Sequence, residues 1–169
     1  MADIHIRNAR EEDVDKIFVM TKELAEHLGE KNTITVTPEL LKENQMSYKC
    51  VVAEGKVTDG SSSKPLLGFA LYVYRFDGWE GKVAILDSMY VVPEHRNKGI
   101  GSALYTTVAK DVVASGCSYM EQLVHNWNTS AQEFYKSKGA YDFSETFNVH
   151  AFRIPTSKLE EVSNPDIKL

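Results

Sequence analysis

Apolar residues recur along this chain in two rhythms, and the switches between them mark its elements. Ile4-His5-Ile6-Arg7 alternates, as a half-buried strand does. After polar residues 8–13, Val14, Ile17, Phe18, Thr21, Leu24, Ala25 and Leu28 share one helical face, and Gly29 ends the run. Thr37-Pro38-Glu39 opens a second helix, with Thr at the N-cap and Pro at the first position, running to about Gln45. Strands are expected at 49–54, 66–74 and 82–92. The first two flank a polar, turn-rich stretch at 58–65 that reads as a mobile loop; Asp77-Gly78-Trp79-Glu80-Gly81 is a turn. Ile100, Leu104, Val108 and Val112 recur every fourth residue and predict a helix from Gly99 to about Ser115, closed by Gly116. A strand at 118–124 and a polar break at 126–128 precede a helix capped by Thr129 or Ser130, which runs through Phe134, Tyr135 and Lys138 to Gly139. Residues 140–143 and 149–154 read as the last strands, and the tail from Ser163 as frayed. The order is βααβββαβαβ(β): an α+β fold with a mixed central sheet flanked by helices, in one domain spanning 1–169, without internal repeat or linker.

The junction of the fourth strand and third helix carries the densest chemistry. An apolar run ending in Val91-Val92 feeds Pro93-Glu94-His95-Arg96-Asn97-Lys98-Gly99-Ile100-Gly101-Ser102. A helix N-terminus presents unpaired N–H groups and a partial positive charge. The glycines let backbone approach a ligand, and Arg96 and Lys98 add full charges. Strand, Arg-x-x-Gly-x-Gly, helix suits a pyrophosphate cradle. The competing reading is an ordinary glycine turn with solvated basic residues; the strand before it and the long helix after it weigh against that. The spacing is neither G-x-G-x-x-G nor a Walker loop, which disfavours Rossmann and P-loop readings.

With 169 residues, 43% of them hydrophobic and 25% charged, the chain suffices for one domain with a sizeable core. A net charge of −5 argues against a dedicated nucleic-acid binder and suits a cationic substrate. Cys50 and Cys117 form no C-x-x-C or zinc spacing and read as buried, reduced thiols. His27, His95, His125 and His150 show no metal-ligand spacing, so a metal-free enzyme is expected. The N-terminus lacks a signal-like apolar run, and nothing approaches the ~20 apolar residues of a membrane span; cytosol is the expected location.

Several stretches together resemble the GNAT superfamily of acetyl-CoA-dependent N-acetyltransferases. They are Ile6-Arg7 with Lys22-Glu23-Leu24-Ala25; Tyr48-Lys49-Cys50-Val51-Val52-Ala53-Glu54; Gly68-Phe69-Ala70-Leu71-Tyr72; Trp79-Glu80-Gly81-Lys82; Arg96-Asn97-Lys98-Gly99-Ile100-Gly101-Ser102; and Trp127-Asn128 with Phe134-Tyr135-Lys136 and Gly139-Ala140. Within the superfamily the chain is most similar to the diamine, polyamine and thialysine acetyltransferase branch. The resemblance implies that backbone groups of Met89, Tyr90 and Val91 pair with the pantetheine arm. Arg96, Asn97, Lys98, Gly99, Ile100, Gly101 and Ser102 would cradle the pyrophosphate. Asn128, Thr129, Ser130 and Ala131, with Tyr135 and Lys136, would help hold the coenzyme. Tyr135 would stand near the thioester sulfur as general acid. The family is typically homodimeric.

Amine acetylation requires the amine to lose a proton, an oxyanion to be stabilised and a thiolate to leave. An alkyl ammonium has a pKa of ~10.4, so about one molecule in 10³ is nucleophilic at pH 7. Deprotonation is thus worth roughly 4 kcal/mol of barrier. A carboxylate that holds the ammonium, with a water path to bulk, meets that need. Asp87 is the candidate; the competing reading is a solvated strand residue. Tyr135 beside Phe134 reads from spacing alone as core, and its role as acid comes from the resemblance. A thiol at ~8.5 against a tyrosine at ~10 makes full proton transfer mildly uphill, which favours hydrogen bonding or a tyrosine made more acidic by its site. A backbone N–H of residues 89–91 suits the oxyanion.

Polyamine-directed relatives carry Glu-Asp where Asp87-Ser88 stands here, an acidic residue near the position of Phe147, and Tyr-Glu where His27-Leu28 stands. A long polycation would meet fewer carboxylates, although Glu121 restores one. The pattern points to a smaller, lysine-like amine such as thialysine. Trp79 offers a cation an aromatic face. Together with His27, Leu28, Asp87, Glu121, Gln122 and Leu123 it makes up the candidate acceptor site. The alternatives are another acceptor (a protein lysine, an amino sugar or an aminoglycoside) or a CoA-binding sensor that has lost catalysis.

Overall fold

The first alternating run forms β1 (His5–Asn8), and the helical face after it forms α1 (Val14–His27), which buries Val14, Ile17, Met20 and Ala25. The computed structural model describes residues 4–57 and 64–163; residues 58–63 of the expected loop and 164–169 of the expected tail lie outside them. α2 (Pro38–Glu43) starts as its sequence dictates, the Thr37 hydroxyl accepting from the Leu40 N–H at 3.2 Å. Then come β2 (Lys49–Glu54), β3 (Leu66–Asp77), β4 (Gly81–Val91), α3 (Ile100–Ala114) and β5 (Met120–Glu121). These elements make up one compact unit, Met1–Leu123. A second unit, Val124–Leu169, holds α4 (Thr129–Lys136), α5 (Phe143–Phe147) and α6 (Thr156–Ser163).

The sheet runs β1-β2-β3-β4-β5. Its first three pairings are antiparallel and β4–β5 is parallel, so it is the mixed sheet expected. Alternation assigns its faces. Cys50, Val52 and Phe69 pack with Tyr90 against Ile17 and Met20 of α1. Tyr72 and Tyr74 point the other way, to α3, where both hydroxyls donate to the Asp111 carboxylate. Lys49 Nζ donates to the same group at 2.8 Å. Burial opposes the charge on Asp111, but these donors win and hold it down at about 2. The network pins the C-terminal half of α3 to the sheet, while Ile100, Leu104, Val108 and Val112 are all buried beneath the helix, as their spacing predicts. Gly68 sets the approach of β3 to β4. A Cβ there would stand 2.5 Å from the Tyr90 carbonyl oxygen and 3.3 Å from Leu104 Cδ1.

Four expectations are corrected. β3 continues three residues past Tyr74, because the Asp77 carboxylate accepts from the N–H groups of Trp79 and Glu80 and turns the hairpin tightly. The strand expected at 118–124 shrinks to Met120–Glu121, since β4 offers it only two partners. The cap of α4 is neither Thr129 nor Ser130 but Asn128, whose side chain accepts from the Ala131 N–H at 3.2 Å. The final strands at 140–143 and 149–154 are absent among the described residues. Asp142 instead caps α5 by accepting from the Glu145 N–H, and Asn148, left-handed at φ +50°, ends it. Pro155 then starts an unexpected α6, its carbonyl accepting from Lys158 and Leu159. Residues 149–154 are an exposed alternating run without a ladder, and a strand without a ladder leaves its backbone groups unpaired.

Candidate active site

β4 is paired on both edges only at its start. Ala84 faces Met120 and Ile85 faces Glu121; beyond Ile85 the edge of β4 toward β5 has no ladder among the described residues. The other edge stays bonded to β3 through Val91, with one irregularity. Tyr72 pairs with Leu86 and Leu71 with Ser88, so Asp87 is an extra residue in β4. Such a bulge bends the strand and re-aims its side chains. It leaves Asp87 and Ser88 together on the face that α1 covers, and Ser88 Oγ donates to Asp87 Oδ2 at 2.9 Å. Asp87 is exposed. The downstream backbone of Met89, Tyr90 and Val91 is thereby presented along an open strand edge, while the Tyr90 side chain is buried in the core.

The turn after β4 is built from its own carbonyls. Val92 N–H donates to Leu67 O at 3.0 Å, and a short 3-10 turn, Pro93–His95, reverses the chain. Arg96 Nε donates to Val91 O at 2.9 Å, and its guanidinium lies 5.3 Å from the Tyr90 ring centre. Lys98 Nζ donates to Glu94 O at 2.7 Å. Both cations therefore brace the loop and stay exposed. Asn97 at φ +60° and Gly99 at φ +84° are left-handed and turn the chain into α3, which begins without a side-chain cap. With Ile100 buried, only its backbone faces the turn; Gly101 and Ser102 continue the first helical turn. The fifteen-residue helix adds its positive end. Two left-handed residues, two braced cations and an uncapped N-terminus suit a phosphate-bearing ligand.

The remaining residues singled out in the sequence separate. His27 ends α1 and Leu28 caps it, its N–H donating to Leu24 O at 2.9 Å. Glu121 shares the face of Ile85, and its carboxylate lies 3.7 Å from Arg75 Nη2. Arg75 also stands 3.9 Å from Asp77. Gln122 lies just past the end of β5, and Leu123 is exposed. Trp79 sits at the β3–β4 hairpin tip, 99% exposed. Asp87 lies six residues from Gly81, about 20 Å along the strand. The structure does not bring Trp79 to Asp87. Sequence reasoning missed Arg75 and Gly68; a glycine inside a long apolar strand was the available signal for the second.

In the second unit, Asn128, Ala131, Gln132 and Tyr135 fall at i, i+3, i+4 and i+7 and form one stripe of α4. Gln132 Nε2 donates to the carbonyls of His125 and Asn126 and ties the stripe to the preceding turn. Tyr135 is half-buried, with its ring edge-on to Phe134 at 5.3 Å. Thr129, Ser130 and Lys136 lie off the stripe and are exposed. Among the described residues no cluster of His, Cys, Asp and Glu could hold a metal ion, and no helix is long and apolar enough to cross a membrane.

Residues 14–140 match the profile described as the acetyltransferase (GNAT) family. Thialysine N-epsilon-acetyltransferase of Bos taurus is 33% identical over 168 residues, covering 96% of this chain and 99% of that protein. Spermidine/spermine N(1)-acetyltransferase-like protein 1 of Homo sapiens is 31% identical over 94% of this chain and 23% of that protein. Among solved structures, AAC(6')-Iy in complex with the bisubstrate analogue CoA-S-monomethyl-acetylneamine superimposes with a TM-score of 0.68 at 19% identity, over 91% of this chain and 99% of that one. That likeness shows the fold.

Proposed function

We propose, starting from the fact that this chain belongs to the GNAT acetyltransferase family, that it transfers acetyl from acetyl-CoA to the primary amine of a small, lysine-like acceptor such as thialysine. The observation that carries the reading is the parting of β4 from β5 after Ile85, with the Asp87 bulge on one side and the glycine turn of α3 at its end. An open strand edge offers N–H and C=O groups to an amide-bearing arm, and the α3 turn suits the charge of a pyrophosphate. When bound, acetyl-CoA supplies the activated acyl group. In this reading Asp87, steadied by Ser88, holds the acceptor ammonium and accepts its proton. Backbone N–H groups of residues 89–91 hold the acyl oxygen, and Tyr135 donates toward the departing sulfur. The family resemblance further implies a homodimer.

Arg75 supports the small acceptor. Glu121, the carboxylate that could have replaced those missing at Ser88 and Leu28, has Arg75 3.7 Å away. Asp87 is left as the uncompensated carboxylate of the candidate set on that face, which suits one ammonium better than a chain of them. Arg75→Ala is accordingly expected to raise the spermidine-to-thialysine ratio of kcat/KM several-fold, whereas Arg75→Lys keeps it. An unchanged ratio in the alanine variant would remove Arg75 from the selectivity argument.

The direct test measures free CoA release across thialysine, lysine, spermidine, spermine, a diamine, an amino sugar and a histone-tail peptide. Selective turnover of thialysine supports the reading, and preference for spermidine refutes the acceptor. Binding of acetyl-CoA without turnover of any amine favours a sensor. Gly99→Ala tests the turn. An alanine at φ +84° costs roughly 1–2 kcal/mol of backbone strain, so the dissociation constant of acetyl-CoA is expected to rise about tenfold by calorimetry. Wild-type affinity would place the pyrophosphate elsewhere.

A further inference from the structure

Tyr90 turns its side chain inward from β4, pairs with Phe69 and lies 5% exposed in one cluster with Ile17 and Met20 of α1. A phenylalanine would fill that space equally well. The hydroxyl asks for more, since a buried tyrosine normally finds a hydrogen-bond partner. Glu23 supplies it, standing at i+3 from Met20 on the same side of α1. Burial first, and then the Glu23 carboxylate accepting from the hydroxyl, push the Tyr90 phenol up, while the Arg96 guanidinium acts on it in the opposite sense. Arg96 is the cation of the α3 turn. Its guanidinium lies 5.3 Å from the Tyr90 ring centre, and its Nε donates to Val91 O at 2.9 Å. Glu23, Tyr90 and Arg96 thus form one chain of contacts from α1 to the turn. A loose arginine gives up rotamer freedom when it binds an anion, and one already held gives up less.

We infer that Glu23 and Tyr90 are positioning residues of the α3 turn: Glu23 holds the Tyr90 hydroxyl, Tyr90 holds the Arg96 guanidinium, and α1 in this way sets the aim of the cation offered to the coenzyme. This rests on the acetyl-CoA reading above. Both side chains act through Arg96 and need no contact with the coenzyme of their own. The link also ties together two regions the reaction uses at once, because the acceptor candidates His27 and Leu28 stand about one turn beyond Glu23 at the end of α1.

Calorimetry with CoA on the full chain tests it. Glu23→Leu, which cannot accept, and Tyr90→Phe, which keeps the ring, are each expected to raise the dissociation constant about three- to fivefold. Glu23→Gln retains an acceptor oxygen and should stay within about twofold of wild type. Arg96→Ala is expected to cost about tenfold or more. Adding Glu23→Leu or Tyr90→Phe to it should cost nothing further, because residues that act through one another are not additive. Glu23 is exposed and a phenylalanine at 90 fills the same space, so none of these changes opens the core. Unchanged affinity in Glu23→Leu or Tyr90→Phe would overturn the inference. So would a Glu23→Gln variant as weak as Glu23→Leu, an Arg96→Ala variant that binds like wild type, or losses that persist once Arg96 is gone. Wild-type protein that binds no CoA would instead overturn the acetyl-CoA reading itself.

Discussion

Asp87→Asn is expected to lower kcat/KM for the preferred amine by about two orders of magnitude at pH 7 while leaving coenzyme affinity intact. The substitution is nearly isosteric. Its amide oxygen can still accept from Ser88 Oγ, and the bulge that aims the side chain comes from the β3–β4 register rather than from the charge. What disappears is the negative charge that holds the acceptor ammonium and takes up its proton. At pH 7 only about one amine in 10³ is neutral, so the group that eases deprotonation matters most there. As pH climbs toward the amine's ~10.4, the substrate deprotonates unaided and the deficit should shrink. CoA release followed from pH 7 to about 10 therefore separates two roles. A loss that narrows with pH marks Asp87 as the group that handles the proton. A loss constant across the range marks it as an anchor alone, and no loss at all returns it to the solvated strand residue it resembles in isolation.

The parts of this molecule written in local rules could be read from the chain. Ile100, Leu104, Val108 and Val112 announce a buried helical stripe, Thr37-Pro38 announces a helix start, and Gly99 and Gly101 announce a turn into a helix; each depends on neighbours within a few residues. The parts that depend on register could not. Nothing in Leu86-Asp87-Ser88 says that one residue is extra, because a bulge is a property of the pair of strands, yet it decides which way Asp87 points. The same holds for β5, whose seven-residue pattern finds only two partners. Asn128-Thr129-Ser130 shows a different limit: all three residue types cap helices well, and only the fold selects the first. At 149–154 the period-2 pattern is present without a ladder, while Asp142 and Asn148 supply strong local signals for a short helix instead. Arg75 lies past Tyr74, where the strand expected from the sequence ends, and its pairing with Glu121 joins residues far apart in sequence, so its bearing on the acceptor emerged only with the sheet.

Tyr135→Phe is expected to lower kcat about 10²- to 10³-fold with the CoA dissociation constant within about twofold of wild type. The variant keeps the ring and, with it, the edge-on contact to Phe134 and the stripe of α4 that carries Asn128, Ala131 and Gln132. The backbone carbonyl of residue 135, which accepts from Lys138 and Ala140 to close the helix, is untouched. Only the hydroxyl goes, so a fall in turnover reports on that group rather than on packing. A fall in kcat at constant KM would mean the hydroxyl acts in the transition state and not on bound substrate. The leaving group gives the sharper control. A thiolate of low basicity needs little help to depart, so an acetyl donor with a more acidic thiol should recover much of the lost rate in the variant. Recovery identifies Tyr135 as the donor to sulfur. A deficit that persists whatever the thiol places the hydroxyl at another point of the reaction, and unchanged turnover makes Tyr135 a packing residue of α4.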